Sequence, residues 1–337
     1  MMVQPLRLII PDVQAGHAAL SRTVLLVMQS PRLLRAVSRV MRASHVNVVT
    51  CAEASSIADW LSRLPIDLVI FDYELLKHAN DLEPLLRQTF EQPEAPPLIF
   101  LSEQREPREL AGFIEGNFAR NVVAKIGELD SADLLVTTRK LIERDIFGIE
   151  KYLHWGSVIH AHEIDGSEAK PRMLDEVQKF LDELGCSKRA QSELVTVADE
   201  LLMNALFDAP VGSDGRSLFA ATPRSQRVVM PPGKTIRFEF GADGRFVAIG
   251  CRDPFGSLDA VGTRRSLARA MRGGPDQIRQ TTGGAGIGLY LILQSVAHFV
   301  INLDPGVCTE AIAVADTGRS TRERHLGPKS FNLFLQR

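Results

Sequence analysis

Five short apolar runs set the tightest limit on how this chain can fold: TVLLVM from Thr23, then VNVVT, DLVIFD, PLIFL and NVVAK. Between them the apolar residues recur at helical spacing, over residues 31–41, up to about 64, near 82–90, around 110, and from 131 to about 144. A strand that is apolar throughout needs cover on both faces. Alternation with amphipathic helices supplies that cover only in a parallel, doubly wound sheet. The first half is therefore expected to be a small α/β unit built on a five-stranded parallel sheet.

In such a sheet, groups with chemistry gather at the carboxyl ends of the strands. Here Asp72 ends the third strand, Ser102 the fourth and Lys125 the fifth. Each alone reads as a surface charge or a turn hydroxyl. Together, at those strand ends, they resemble the receiver domains of two-component response regulators over roughly residues 22–144. The resemblance implies a phosphoacceptor site of Asp72 with Ser102 and Lys125. One departure bears on it: receivers place two acids after the first strand to hold magnesium, and this chain has Met28 and Gln29 there. A thioether and an amide bring no anionic oxygen to a hard dication, so phosphoryl transfer to Asp72 loses its main neutraliser of charge. The first half then reads as a receiver-like, pseudo-receiver domain that regulates or docks.

The second half has a different grammar. A helix is expected over about 187–207, with Leu194, Val197, Leu201, Ala205 and Leu206 as its buried stripe and with Glu200 and Asn204 one turn apart on one face. Later the apolar strand in RFVAIGCRDPFGSL ends at Asp253, with Gly256 just beyond it. The stretch TTGGAGIGLYLILQ then packs four glycines into six residues before a new apolar helix. Unhindered backbone N–H groups running into a helix N-terminus suit a phosphate. A dinucleotide fingerprint does not fit, because Leu289 stands where its third glycine belongs and no strand leads in. PPGKT, residues 231–235, mimics the end of a P-loop but is followed by the alternating strand TIRFEF.

ELLMNA, DPFG and GAGIGL, in that order, look like the ATP-binding (GHKL-type) domain shared by gyrase-type ATPases, histidine kinases and anti-sigma-factor serine kinases, over about residues 149–337. The resemblance implies an α/β sandwich with helices on one face of a mixed sheet and ATP between helices under a lid. By that analogy Asn204 would coordinate Mg2+, Asp253 with Gly256 would receive the adenine, and Gly284, Gly286 and Gly288 would wrap the phosphates. Glu200, one turn before Asn204, would be the catalytic base of the gyrase-type and serine-kinase members. Family members commonly carry glycine two residues after the aspartate; Phe255 stands there in this chain. Between the second and third boxes lie Arg264, Arg265, Arg269, Arg272 and Arg279, read either as a lid lending a guanidinium to the γ-phosphate or as a solvated basic helix.

His160, His162 and Glu163 in IHAHEIDG resemble a phosphoacceptor box of sensor kinases, but only 37 residues separate His162 from Glu200, too few for a dimerisation hairpin, and Gly166 interrupts any helix. The pair reads as an exposed strand face, since no third metal ligand is evident. DTG at Asp316–Gly318 reads as an ordinary turn. The four cysteines form no CxxC pair, no early segment has the make-up of a signal peptide, and no window has the length for a membrane span. A net charge of −2 gives no footprint for nucleic acid. The expected organisation is a tail over 1–20, a receiver-like domain over 21–144 and an ATP-binding domain over 145–337. The expected function is that of a cytoplasmic signalling protein, without membrane or nucleic-acid partners, that moves the ATP γ-phosphoryl group to a hydroxyl of a partner protein. The alternatives are a nucleotide-gated module that sequesters its partner without turnover, and a histidine-kinase-like phosphorelay component; a homodimer is compatible with all three.

Overall fold

The structure, a computed structural model, describes residues 22–78, 81–103, 107–116, 119–126, 128–129, 131–272 and 285–336. In the first half the apolar runs are strands β1 (Thr23–Val27), β2 (Asn47–Cys51), β3 (Leu68–Asp72), β4 (Leu98–Ser102) and β5 (Asn121–Ile126), followed by the two-residue strand β6 (Glu128–Leu129). Helices α1 (Pro31–Ala43), α2 (Ile57–Arg63), α3 (Leu82–Phe90), α4 (Pro107–Glu115) and α5 (Ser131–Glu143) connect and follow them. Ser30 caps α1 through its hydroxyl, and Pro31 sits at the first helical turn, where its missing N–H costs nothing. The parallel order β2-β1-β3-β4-β5 is the doubly wound order shared by flavodoxin-like and receiver-like sheets. The first half is therefore receiver-like in architecture. Val24, Leu26, Ile70, Ile99 and Val123 fill one face beneath α1 and α5, while Leu25, Val69, Phe71 and Phe100 fill the other.

The second half contributes β7 (Ile159–Ile164), α6 (Lys170–Glu183), α7 (Lys188–Met203), β8 (Ile236–Ala242), β9 (Phe246–Asp253), α8 (Ala260–Arg272), α9 (Ala285–Ser295), β10 (His298–Asp304), β11 (Cys308–Asp316), α10 (Thr321–Leu326) and β12 (Ser330–Leu335). Its strands follow the order β12-β10-β11-β9-β8-β7, antiparallel except for the parallel pair β10–β12. Apolar residues of α6, α7, α8 and α9 join one core with Phe238, Ile249, Phe299 and Ala313 of the sheet. On the opposite face, Ile149, Tyr152 and Leu153 meet Val300, Ile312 and Phe334.

The two halves share one sheet. β5, an edge in an isolated five-stranded unit, pairs antiparallel with β12, Val122 opposite Phe331 and Asn121 opposite Asn332. That pairing satisfies an edge that would otherwise template aggregation. Helix α5 then lies over the seam through polar side chains: Ser330 Oγ donates to Asp133 Oδ2 at 2.5 Å, and Lys140 Nζ donates to Asn302 Oδ1 at 2.9 Å and to the Tyr152 hydroxyl at 2.8 Å. No helix among the described residues is long and apolar enough to cross a membrane.

Candidate functional site

Two sites take shape at opposite ends of the molecule's chemistry. In the first half, the carboxyl ends of β3, β4 and β5 bring Asp72, Ser102 and Lys125 together. Asp72 is only 4% exposed; its Oδ1 accepts from Lys125 Nζ at 2.8 Å and from the Glu74 N–H at 3.2 Å. Lys125 also faces Glu103 at 3.5 Å. Ser102 is buried beside them. The crevice above is walled by Gln29, Arg32, Arg39, Glu74 and Glu103. Met28 turns into the apolar core under α1, and Gln29 stands exposed at the rim. The strand ends thus bring an aspartate, a hydroxyl and a lysine together, with Met28 and Gln29 after β1 in place of the acid pair that the resemblance implies.

The second site is built on α7. The helix begins at Ser187, whose hydroxyl accepts the Ala190 N–H, and buries Leu194, Val197, Ala198, Leu201 and Leu202. The sequence pattern predicts a helix to residue 207; the regular α-helix instead ends at Met203 and widens into a π-turn over Asn204–Asp208. The physical sign is the Ala209 N–H reaching the Asn204 carbonyl, five residues back, at 2.9 Å. Ala209 itself keeps helical backbone at φ −73, ψ −36, and Pro210 after it has no N–H with which to carry the ladder on. Ser257 Oγ holds the Ala209 carbonyl at 2.6 Å. Single π-turns of this kind concentrate at functional sites. This one places Asn204, half-buried, one turn beyond Glu200.

Glu200 is half-buried and meets the glycine helix directly. A Cβ built on Gly288 would stand 2.2 Å from Glu200 Oε2, so a side chain there would have to displace the carboxylate. Burial raises the Glu200 pKa above the usual carboxylate value, and the neighbouring charges of Asp199 and Asp208 push the same way; Arg224 and Lys170 oppose them. Those four form a ring of pairs: Lys170 Nζ on Asp199 Oδ1 at 2.5 Å, and Arg224 Nη2 on Asp208 Oδ1 at 2.7 Å, with the Arg224 guanidinium over the Phe207 ring. A carboxylate of raised pKa in this setting is suited to accept a proton. Lys170, Asp208 and Arg224 escaped the sequence reading. Asp208, eight residues after Glu200 in the same segment, carried a periodic signal; Arg224, in an irregular loop, carried none.

Gly286 lies in the first turn of α9, where amides have no intrahelical partner. Gly284 lies outside the described residues, as does Arg279. Asp253, 5% exposed, accepts the N–H groups of Phe255 and Gly256 through Oδ1, and burial raises its pKa to about 6 against those bonds. Gly256 is in left-handed backbone at φ +57, and a Cβ there would run into the carbonyl of Asp304 at 2.3 Å. Phe255, expected at the adenine loop, is instead buried in the core. An amide oxygen at Asn204 is a ligand of the kind a hard dication takes alongside phosphate oxygens.

Along the described part of the arginine helix, Arg265, Arg269 and Arg272 are exposed and Arg264 is turned inward. Arg264 is 2% exposed and donates from Nη1 to the Gly116 carbonyl of the first half at 2.6 Å, and Arg272 pairs with Glu115. Helix α8 is thus docked on α4. His160 stacks on Phe240, and His162 meets Glu176 at 3.0 Å; no group of three or more His, Cys, Asp or Glu side chains suited to a metal occurs among the described residues. In the DTG segment Asp316 Oδ1 accepts the Gly318 N–H, as a turn requires.

No family model matches the sequence, and no curated protein matches it. Among solved structures, the chain is similar to the signal receiver domain of an HD domain-containing protein from Pseudomonas fluorescens Pf-5, with 17% identity over 39% of this chain and 94% of that one, TM-score 0.33. A response regulator from Thermotoga maritima aligns at 23% identity over 37% of this chain and 99% of that one, TM-score 0.32. The isolated REC domain of RcsB from Salmonella enterica serovar Typhimurium aligns at 19% identity over 39% and 95%, TM-score 0.32.

Proposed function

We propose that this chain is a signal-transduction protein whose receiver-like half governs an ATP-dependent phosphotransferase half. The reading rests on one observation above the rest: the Glu200 carboxylate lies against the backbone of Gly288, so the acid of the first box and the glycine helix of the third meet at one place. ATP would lie with its phosphates over the start of α9 and with Mg2+ held by Asn204. Glu200 takes the proton of a partner's hydroxyl; that oxygen bonds to the γ-phosphorus as the bond to the bridging oxygen breaks, and ADP leaves. The partner is a signalling protein presenting a hydroxyl residue.

The test is Mg2+-dependent ATP binding by the full chain, compared with Asn204→Ala. Saturable binding that needs the metal and weakens in the variant supports the proposal. Failure to saturate at millimolar ATP removes it. If ATP binds but Glu200→Ala changes no phosphate release or labelling, transfer falls and nucleotide binding alone stands.

A further inference from the structure

From Glu200 a groove of about 440 Å³ runs back along α7 toward its start, away from Asn204. A space of that size takes part of a ligand rather than a few waters. On α7 its wall is Arg189, Glu193, Val197 and Glu200, which recur at steps of four, four and three and so share one face. The facing wall is Leu291, Ile292 and Ser295 of α9, with His325 of α10 beside them.

The middle of the groove is apolar. Val197 and Ile292 are buried in it, while Leu291 stands 43% exposed. The polar groups bordering that stretch are already engaged: Thr196 Oγ1 donates to the Ser192 carbonyl and Ser295 Oγ to the Leu291 carbonyl, each at 2.9 Å, and Glu193 pairs with Arg324 and His325. Such a stretch suits apolar side chains.

The two ends carry opposite chemistry. At one stands the half-buried Glu200 carboxylate. At the other is Arg189, exposed in the first turn of α7 and without an ion-pair partner among the described residues. Its neighbour Lys188 is held by Asp182 Oδ1 at 2.8 Å. The first turn of α7 contains no acid, so the Arg189 charge and the positive end of the helix dipole act together on whatever lies there.

We infer that this groove docks the partner segment that presents the hydroxyl: an extended stretch with its hydroxyl residue at Glu200, apolar side chains against Val197, Leu291 and Ile292, and a carboxylate at Arg189. The inference rests on Glu200 as the proposed base, and it names what the partner must look like beside its target residue. An extended segment is the form that lets a short hydroxyl side chain reach a recessed carboxylate, since a helix holds its axis about 5 Å from the surface it touches. Arg189 and Glu200 are eleven residues apart, roughly 16 Å along the helix, which an extended chain crosses in about five residues. Alternate side chains of such a chain face the same way, so the carboxylate falls at an even spacing from the hydroxyl residue. Six is the even spacing that does not stop short of the guanidinium.

The experiment measures calorimetrically, at low salt and without nucleotide, how the full chain binds a blocked seven-residue peptide with serine first, leucine third and fifth, glutamate seventh and alanine between. The reverse order and versions with lysine for glutamate are titrated alongside. Arg189→Glu and Leu291→Asp both alter exposed side chains, and an acid in the first turn of α7 favours the helix, so loss of the fold cannot imitate the expected pattern. The glutamate peptide should saturate the wild type at millimolar concentration in one of the two orders and bind about tenfold more weakly to Leu291→Asp. Arg189→Glu should weaken it about fivefold and make the lysine peptide the tighter ligand. Binding in this assay needs no ATP, so a chain that binds the peptides in this pattern but takes no Mg·ATP loses phosphoryl transfer and keeps the docking groove. No saturation in either order, equal affinity for the glutamate and lysine peptides, or affinity untouched by Leu291→Asp overturns the inference. So does a dimer of the chain that Leu291→Asp splits while peptide binding stays as it was, since a second copy would then fill the groove.

Discussion

Replacing Gly288 with alanine separates a catalytic role for Glu200 from a packing role. The added methyl would sit 2.2 Å from Glu200 Oε2 and 3.2 Å from its Cδ, whereas ordinary contact begins at 3.4 Å. The carboxylate must retreat by about 1.2 Å, the difference between 3.4 and 2.2 Å. It sits at the end of a flexible, half-buried side chain, so the fold yields cheaply. Alanine in a helix interior gains about 1 kcal/mol over glycine, and the balance predicts a melting temperature unchanged or slightly raised. Catalysis responds differently, since a displacement of about 1 Å in a reacting group costs on the order of a hundredfold in rate. Gly288 is also one of the glycines expected to wrap the phosphates, so ATP affinity is measured separately and turnover is compared at saturation. Phosphate release under saturating Mg·ATP, ATP affinity by calorimetry and thermal melting are the three readouts. Wild-type turnover in Gly288→Ala would refute Glu200 as the base, and a large drop in stability would mean that the carboxylate is a rigid packing element.

Other consequences follow from the contacts between the halves. Arg264→Met strips the buried donor from the Gly116 carbonyl and should destabilise the chain by about 1–3 kcal/mol in chemical denaturation; an unchanged midpoint would mean that α8 and α4 are not docked in solution. Burial lowers the Lys140 pKa from 10.5 to about 7, so between those values the unfolded chain binds the extra proton and stability rises with pH, the penalty being complete below pH 7. The wild-type denaturation midpoint should therefore climb from pH 7 toward pH 9 by up to about 2 kcal/mol more than that of Lys140→Met. Parallel pH profiles for the two proteins would show that the amine stays charged. Lys329, lowered to about 7 mainly by burial, titrates in the same window and is common to both arms of the comparison.

What the sequence reveals depends on whether the signal is local. Apolar runs such as DLVIFD announce their strands because burial on both faces leaves no room for polar residues, and Asp72, Ser102 and Lys125 are then fixed by strand ends alone. Glu200 and Asn204 are legible as a pair for the same reason, a helical offset of four. The π-turn at Asn204 was not, because an i to i+5 hydrogen bond leaves no periodic mark and the apolar stripe runs on through Leu206. Nor was the burial of Phe255, since DPFG reads as a loop until Asp304 and Gly306 close over Gly256. The docking of Arg264 was the least accessible, because an arginine within TRRSLARAMR carries no sign that a carbonyl 148 residues earlier will receive it.

That docking also bears on how the halves communicate. Three links join them: the strand pair β5–β12, the polar seam under α5, and the packing of α8 on α4. The first is ladder hydrogen bonding, which changes only by breaking. The other two add side chains whose partners are charges, amides and a carbonyl, the α8–α4 contact doing so beside apolar residues such as Ile114, Leu267 and Met271 of one core, and the polar contacts have alternative arrangements of similar energy. Helix α4 follows the strand that ends at Ser102, and α8 precedes the glycine stretch that leads into α9. Under the proposed function, a change of charge at Asp72 would reach the Glu200 site by way of α4, α8 and α9, which pack in that succession. The rigid ladder at the seam would hold the rest of the sheet still while it did so.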